Sequence, residues 1–212
     1  MVIPNPFYQI YEGAALLAGV QPTLIPCHPE LDYLANYREL SEDEWAQCDL
    51  LFVCTPGNPS GAVIPEKELH FLIEKAVEHN VVLVSDECYS ELYYDEAAPP
   101  MGLLQAATTM GNTDFKQCLV FHSLSKRSNL PGLRSGFVAG DAELIQEFRR
   151  YRTYHGCAMP LHHQRASIAA WSDEQHVVEN RRIYRAKFDS VTQRLAPVLP
   201  VSKPPAGFYL WP

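Results

Sequence analysis

Four consecutive branched apolar residues, Val81-Val82-Leu83-Val84, constrain the fold of this chain more than any other stretch. A strand with one wet face alternates apolar and polar side chains, whereas an unbroken run of this kind needs cover on both faces. Cover on both faces means helices above and below, hence a parallel sheet built from crossover units. The preceding segment supplies one such helix. Over 65–80, Leu69, Leu72, Ile73 and Ala76 recur at helical spacing, Pro65 suits the first turn and Asn80 the end.

The rest of the chain alternates in the same way. Val2-Ile3 reads as the tail of a strand. The stretch 8–19 predicts a helix whose apolar positions are Ile10, Ala14, Leu17 and Ala18, stopping at Gly19. A short strand follows at 22–26, and Ser41-Glu42-Asp43-Glu44 is a capping box opening a brief helix. The strand predicted at 48–54 runs into Thr55-Pro-Gly-Asn-Pro-Ser-Gly61, a loop dense in turn formers. Beyond Val84 come a helix at about 101–110, a strand at 118–121, a short strand at 137–139, and helices over 141–153, 160–171 and 174–195. Pro197, Pro200, Pro204 and Pro205 mark a boundary, and Gly207-Phe-Tyr-Leu-Trp-Pro212 reads as a strand opening a further unit. The expectation is an α/β layered domain with a mostly parallel sheet, cut at both ends.

Composition narrows the function. A net charge of −8 with no basic stripe argues against nucleic acid or an anionic membrane as partner. No apolar run approaches the roughly 20 residues that span a bilayer, and Met1-Val-Ile-Pro-Asn-Pro shows no secretory pattern. Six scattered cysteines without a Cys-x-x-Cys pair read as small buried residues of a reduced, cytoplasmic protein. No metal site is expected, because His162-His163 would diverge on a helix and His155-Gly-Cys157 has no further ligands nearby.

In sheets of this kind ligands bind beyond the carboxyl ends of the strands. Asn58, Asp86, Tyr89 and Lys126 all fall in loops predicted to leave such ends, and Arg134 lies eight residues past Lys126. Taken singly, each has an ordinary reading as a turn former, a helix cap, a packing residue or a surface charge. Together, a lysine amine, the hydroxyls of Ser123 and Ser125 and an arginine fork suit a carbonyl compound bearing a phosphate, with the lysine forming a Schiff base. His122 reads as packed or hydrogen-bonded at the strand end, and Cys88 as a small filler. Trp45, Trp171 and Trp211 read as packing residues, and Arg149-Arg150 and Arg181-Arg182 as solvated helix faces.

Four blocks carry a resemblance: Asn5-Pro-Phe-Tyr8-Gln-Ile-Tyr11, Asn58-Pro-Ser-Gly61, Asp86-Glu-Cys-Tyr89, and Ser123-Leu-Ser-Lys126 with Arg134-Ser-Gly136. In this order the chain resembles the fold-type I, class I/II aminotransferases that use pyridoxal 5′-phosphate. The resemblance implies a three-layer αβα large domain over 1–196, with an interdomain helix at about 174–196, and the beginning of a small C-terminal domain at 197–212. It assigns Lys126 as the Schiff-base lysine and proton shuttle, Asp86 as the carboxylate facing the pyridine nitrogen, and Tyr89 and Asn58 as partners of the phenolic oxygen. Tyr8 would stack on the ring, and Ser123 and Arg134 would hold the phosphate, with Ser125 a less secure ligand.

Within that family the chain bears a closer resemblance to the N-succinyldiaminopimelate aminotransferases of bacterial lysine biosynthesis, which exchange an amino group with glutamate and 2-oxoglutarate. The phrases at 5–19, 86–93, 121–134 and 151–160 carry this finer likeness. The family's phosphate-binding loop would then lie before Met1, and its substrate-carboxylate arginine beyond Pro212. The 212-residue piece alone is therefore expected to bind cofactor poorly and transaminate little. A homodimer is likewise implied only by the resemblance. Rival readings are a C–S lyase or another relative on the same fold, a nucleotide-binding Rossmann-like module, and a noncatalytic α/β interaction domain. The absence of Gly-x-Gly-x-x-Gly after any strand opposes the nucleotide reading.

Overall fold

The structure is a computed structural model and describes residues 1–211. Its centre is a seven-stranded sheet. The strands are β1 (Val2–Asn5), β2 (Thr23–His28), β3 (Leu34–Ala35), β4 (Leu50–Cys54), β5 (Val82–Asp86), β6 (Cys118–Ser123) and β7 (Gly136–Gly140). They lie in the order β3-β2-β1-β4-β5-β6-β7. Strands β2, β1, β4, β5 and β6 run parallel, while β3 and β7 pair antiparallel at the two edges. The connection order reverses between β1 and β4, which leaves a crevice beyond the carboxyl ends of the central strands.

Eight α-helices connect and cover these strands: α1 (Ile10–Leu17), α2 (Glu42–Ala46), α3 (Glu66–His79), α4 (Leu103–Thr109), α5 (Leu124–Arg127), α6 (Ala142–Tyr154), α7 (Leu161–Trp171) and α8 (Gln175–Leu195). The expected stripe of α3, Leu69, Leu72, Ile73 and Ala76, is buried, and Asn80 ends the helix in the left-handed conformation. It packs with Trp45 of α2, Leu103 and Ala106 of α4, and Leu51, Val53, Leu83 and Val120 of the sheet. Burying each of these leucines stabilises the fold by about 1.5–3 kcal/mol. Alternation sends the intervening side chains to the other face. There Phe52 stacks on Tyr11 of α1, with centroids 4.7 Å apart, and Phe121 meets Phe148 of α6 edge-on at 6.1 Å. Three layers result. The capping box of α2 forms in both directions between Ser41 and Glu44.

Four local expectations are corrected. The buried side of α1 is Tyr11 and Ala15, whereas Ile10, Ala14, Leu17 and Ala18 face solvent. A helix this short offers too few turns for small apolar residues to define one face. Lys126 sits not in a loop but on α5, a single turn capped by the Ser123 hydroxyl, which accepts from the Ser125 N–H. Arg181 is not solvated: its side chain is 8% exposed and pairs with Glu91 and Glu96. The predicted strand at the end of the chain does not form among the described residues. Ala206 makes only an isolated bridge with Tyr93, and Pro212 lies outside those residues.

Candidate active site

Four strands end at one cavity. β1 leads through cis Asn5-Pro6 to Tyr8, β4 leads through the 55–61 loop to Asn58, β5 ends at Asp86, and β6 ends at Ser123. Register fixes their relative height, since Cys54 pairs with Asp86 and Asp86 with Phe121, two residues before Ser123. A cavity of about 320 Å³ collects Tyr8, Asn58, Asp86, Tyr89, Lys126 and Arg134. Ser123 and Ser125 also line it, so the structure brings together every site residue expected from the sequence. The aggregate charge chemistry is mixed: an amine, a guanidinium, a carboxylate, phenols and hydroxyls.

Each functional group is held from a different direction. The Asp86 carboxylate accepts from the Tyr11 hydroxyl at 2.6 Å and from the Cys88 N–H at 3.1 Å. Burial, together with the nearby Cys54 and Asp86, pushes the Tyr11 phenol far above its ordinary value, so it stays a donor. Tyr89 is buried, and burial plus its hydroxyl contact with Tyr209 at 3.3 Å raises its phenol in the same way. The Lys126 ammonium lies 4.9 Å from the Phe208 ring centroid and 5.8 Å from that of Tyr89. Asn180 of α8 donates to the Lys126 carbonyl at 3.3 Å, steadying the turn that carries the amine.

The anionic end of a ligand would meet Ser123, Ser125 and Arg134. Ser123 Oγ donates to Ser125 Oγ at 2.8 Å, so the two hydroxyls act as a pair. Arg134 takes a left-handed backbone after a turn at Pro131–Leu133, donates to the Pro131 carbonyl at 2.6 Å, and remains exposed. Its guanidinium keeps donors free for a doubly charged oxyanion.

Sequence reasoning did not single out Tyr11, Cys88 or Tyr209 as part of the site. Tyr209 arrives because residues 204–209 fold back: Gly207 N–H donates to the Leu92 carbonyl at 2.7 Å, and Tyr94 N–H to the Pro205 carbonyl at 3.3 Å. Tyr11 lies within the motif at 5–11, on the first turn of α1, whereas Tyr8 precedes that helix. Outside this cavity, Glu42, Glu78 and His79 bring possible metal-ligand atoms within 4.8 Å of one another. Lys75 already occupies both carboxylates of that group, donating to Glu42 at 3.0 Å and to Glu78 at 2.9 Å.

Comparison with known proteins agrees with this geometry. The family model described as aminotransferase class I and II matches residues 1–212. An LL-diaminopimelate aminotransferase of Maridesulfovibrio salexigens is 32% identical, covering 100% of this chain and 54% of that protein. An aromatic-amino-acid aminotransferase of Thermococcus litoralis is 30% identical over the same shares of both. Among solved structures, an aminotransferase from Neisseria meningitidis superposes with a TM-score of 0.92 at 50% identity, covering 99% of this chain and 53% of that one. A probable N-succinyldiaminopimelate aminotransferase from Thermus thermophilus gives 0.89 at 26% identity, covering 99% and 55%. The chain thus spans about half the length of the curated relatives it matches. With the whole of its length matched and its strand-end residues gathered at one cavity, the chain belongs to the class I and II aminotransferases, a family of transferases that use pyridoxal phosphate.

Proposed function

We propose that the full-length protein is a pyridoxal phosphate-dependent aminotransferase acting between glutamate/2-oxoglutarate and a diaminopimelate-type amino acid, N-succinyl-LL-2,6-diaminopimelate being the preferred candidate. The observation that carries the chemistry is the gathering of Lys126, Asp86, Tyr89, Asn58, Ser123 and Arg134 around one cavity. The donor set fits the cofactor: an amine for an aldehyde, a carboxylate for a ring nitrogen, a phenol and an amide for a phenolic oxygen, and hydroxyls with a guanidinium for a phosphate. The substrate class is supported by relatives named LL-diaminopimelate aminotransferase and by the Thermus neighbour's name. Relatives named for aromatic amino acids and aspartate favour other specificities as the second reading.

Pyridoxal phosphate supplies an aldehyde and an electron-withdrawing ring able to delocalise negative charge from a substrate α-carbon. The residues of this chain supply the remainder. Lys126 Nζ would hold the cofactor at its aldehyde carbon and, when free, would serve as the base and acid that carries the substrate's α-proton. The Asp86 carboxylate would keep a proton on the ring nitrogen, and Tyr11 holds that carboxylate in place through its 2.6 Å bond. Tyr89 and Asn58, which line the same cavity, would hold the phenolic oxygen. Ser123 and Arg134 would anchor the phosphate, and Tyr8 would cover a ring face.

Borohydride reduction of the full-length protein in the presence of pyridoxal phosphate, followed by peptide mapping, tests this directly. The label is expected on Lys126, and Lys126→Ala is expected to abolish it. A label on Lys67, Lys75, Lys116, Lys187 or Lys203 instead sinks the assignment. An amino-acceptor screen then separates the specificities: release of a keto acid with conversion of the cofactor to its amine form marks a transaminase, whereas pyruvate and ammonia mark a lyase. We further propose that the full-length protein works as a homodimer and that the 212-residue chain alone transaminates little. Steady-state turnover by that chain alone would overturn the second point.

A further inference from the structure

Behind the site, on the opposite face of the sheet, lies a second polar cluster that the proposed chemistry does not use. Glu87 follows Asp86 and His122 precedes Ser123, so strand alternation turns this pair away from the cavity that Asp86 and Ser123 face. Glu87 is 4% exposed. A buried carboxylate is costly unless every lone pair finds a donor. Glu87 Oε1 finds two, from different elements, and a histidine stands beside Oε2. Ser85 Oγ of β5 donates at 3.0 Å, the Leu103 N–H opening α4 donates at 2.7 Å, and His122 Nε2 of β6 lies 3.2 Å away. The main chain adds a fourth tie, Glu87 N–H to the Phe121 carbonyl at 2.9 Å.

His122 is fixed from its other side. Its ring stacks on Phe137 of β7 at 4.9 Å, Phe137 meets Trp171 of α7 edge-on at 5.0 Å, and Trp171 lies 5.1 Å under the Arg127 guanidinium of α5. A cavity of about 140 Å³ separates this chain of contacts from the site, and Cys88 and Ser123 line both cavities. Gly102 permits the arrangement, since a Cβ there would stand 2.8 Å from Glu87 Oε2.

We infer that Glu87 and His122 are positioning residues: their contact ties the carboxyl end of β5 to that of β6 and so sets the separation between Asp86 and the Ser123–Lys126 turn. Its consequence for cofactor binding rests on the reading under Proposed function, but the tie itself does not. Without the contact, the two strand ends are joined by the sheet ladder, which stops at Asp86 and Phe121, and by the single Glu87 N–H bond to the Phe121 carbonyl.

The test uses the full-length protein, first without cofactor. His122→Leu removes the imidazole from Glu87 Oε2 and leaves both hydrogen bonds to Oε1, so the fold is expected to survive. Amide hydrogen exchange is expected to accelerate about tenfold at 86–89 and 121–127, the loss expected for one bond to a charged group, with the α3 amides unchanged. His122→Gln, which restores an N–H, and Glu87→Gln, which keeps an acceptor for Leu103, should each recover most of the protection. With pyridoxal phosphate added, His122→Leu should bind it roughly tenfold more weakly and alter its visible circular dichroism. Unchanged exchange at 121–127, or acceleration spread evenly through the sheet, overturns the inference. Because the exchange arm needs no cofactor, failure of wild-type protein to label at Lys126 would sink the functional reading and leave this result standing.

Discussion

At the scale of single residues, the site is legible where chemistry and position coincide and opaque where contacts cross the sheet. Lys126, Asp86, Asn58 and Tyr89 could be read because each follows a run that had to be a strand. Tyr11 could not, because its bond to Asp86 joins residues 75 apart. Tyr209 is farther still, at 120 residues from Tyr89. Both are phenols that local pattern presents as ordinary packing residues. The bond from Tyr11 gives a sharp expectation. Tyr11→Phe keeps the stack on Phe52 at 4.7 Å and removes only the hydroxyl that Asp86 accepts. A hydrogen bond to a charged group contributes about 1.5–3 kcal/mol, and its loss would free the carboxylate that the proposed function sets against the ring nitrogen. In the full-length protein kcat/KM should fall by about tenfold or more, with the thermal midpoint nearly unchanged. A variant with wild-type kcat/KM would show that the Tyr11 hydroxyl does not position Asp86.

At the scale of elements, strands and helices were readable but pairing direction and short turns were not. The run at 81–84 demanded cover on both faces, and the parallel neighbours β4 and β6 provide the sheet in which that cover makes sense. Nothing in Phe137-Val138-Ala139 says that β7 returns antiparallel, because direction depends on the connection and not on periodicity. The start of α6 shows how an element is pinned to that returning strand. Asp141 caps the helix, accepting from Glu143 N–H at 2.9 Å and Leu144 N–H at 3.4 Å, and also takes the Gln117 N–H at 2.9 Å. Burial works against its ionisation, but these donors and the Lys116 ammonium hold the carboxyl below its ordinary value. A carboxyl lowered in the folded state contributes stability that is complete above the unfolded value, about 3.9, and is lost as pH falls through the lower folded value. Asp141→Asn should therefore lower stability by about 1 kcal/mol at pH 7, with the difference from wild type shrinking as the pH approaches 3. Thermal midpoints across that range decide the matter, and a constant offset would show that the charge plays no part.

At the scale of the whole molecule, the last helix and the segment after it return to close the far side of the site. Arg181 of α8 lies over the Tyr93 ring at 4.4 Å and reaches Glu91 at 3.0 Å and Glu96 at 3.1 Å, tying α8 to the chain that leaves β5. Residues 204–209 lie along the same chain and deliver Phe208 and Tyr209 to Lys126 and Tyr89. Their approach depends on Gly61. With φ of +75°, Gly61 occupies backbone space that L side chains rarely adopt, and a Cβ there would press on the Ala206 carbonyl and stand 2.8 Å from Pro204 Cβ. Neither neighbour can rotate away, since one is backbone and the other a ring, so Gly61→Ala must push the 204–209 segment off the loop that bears Asn58. The left-handed strain alone costs about 1–2 kcal/mol. The informative quantity is the coupling. Phe208→Leu removes the ring over Lys126 with Gly61 intact, and if Gly61→Ala acts by displacing that ring, the two substitutions combined should cost less in pyridoxal phosphate affinity than their sum, by about 0.5 kcal/mol or more. Strictly additive losses would mean that Gly61 supports the Asn58 loop alone, and that the returning segment reaches Lys126 without its help.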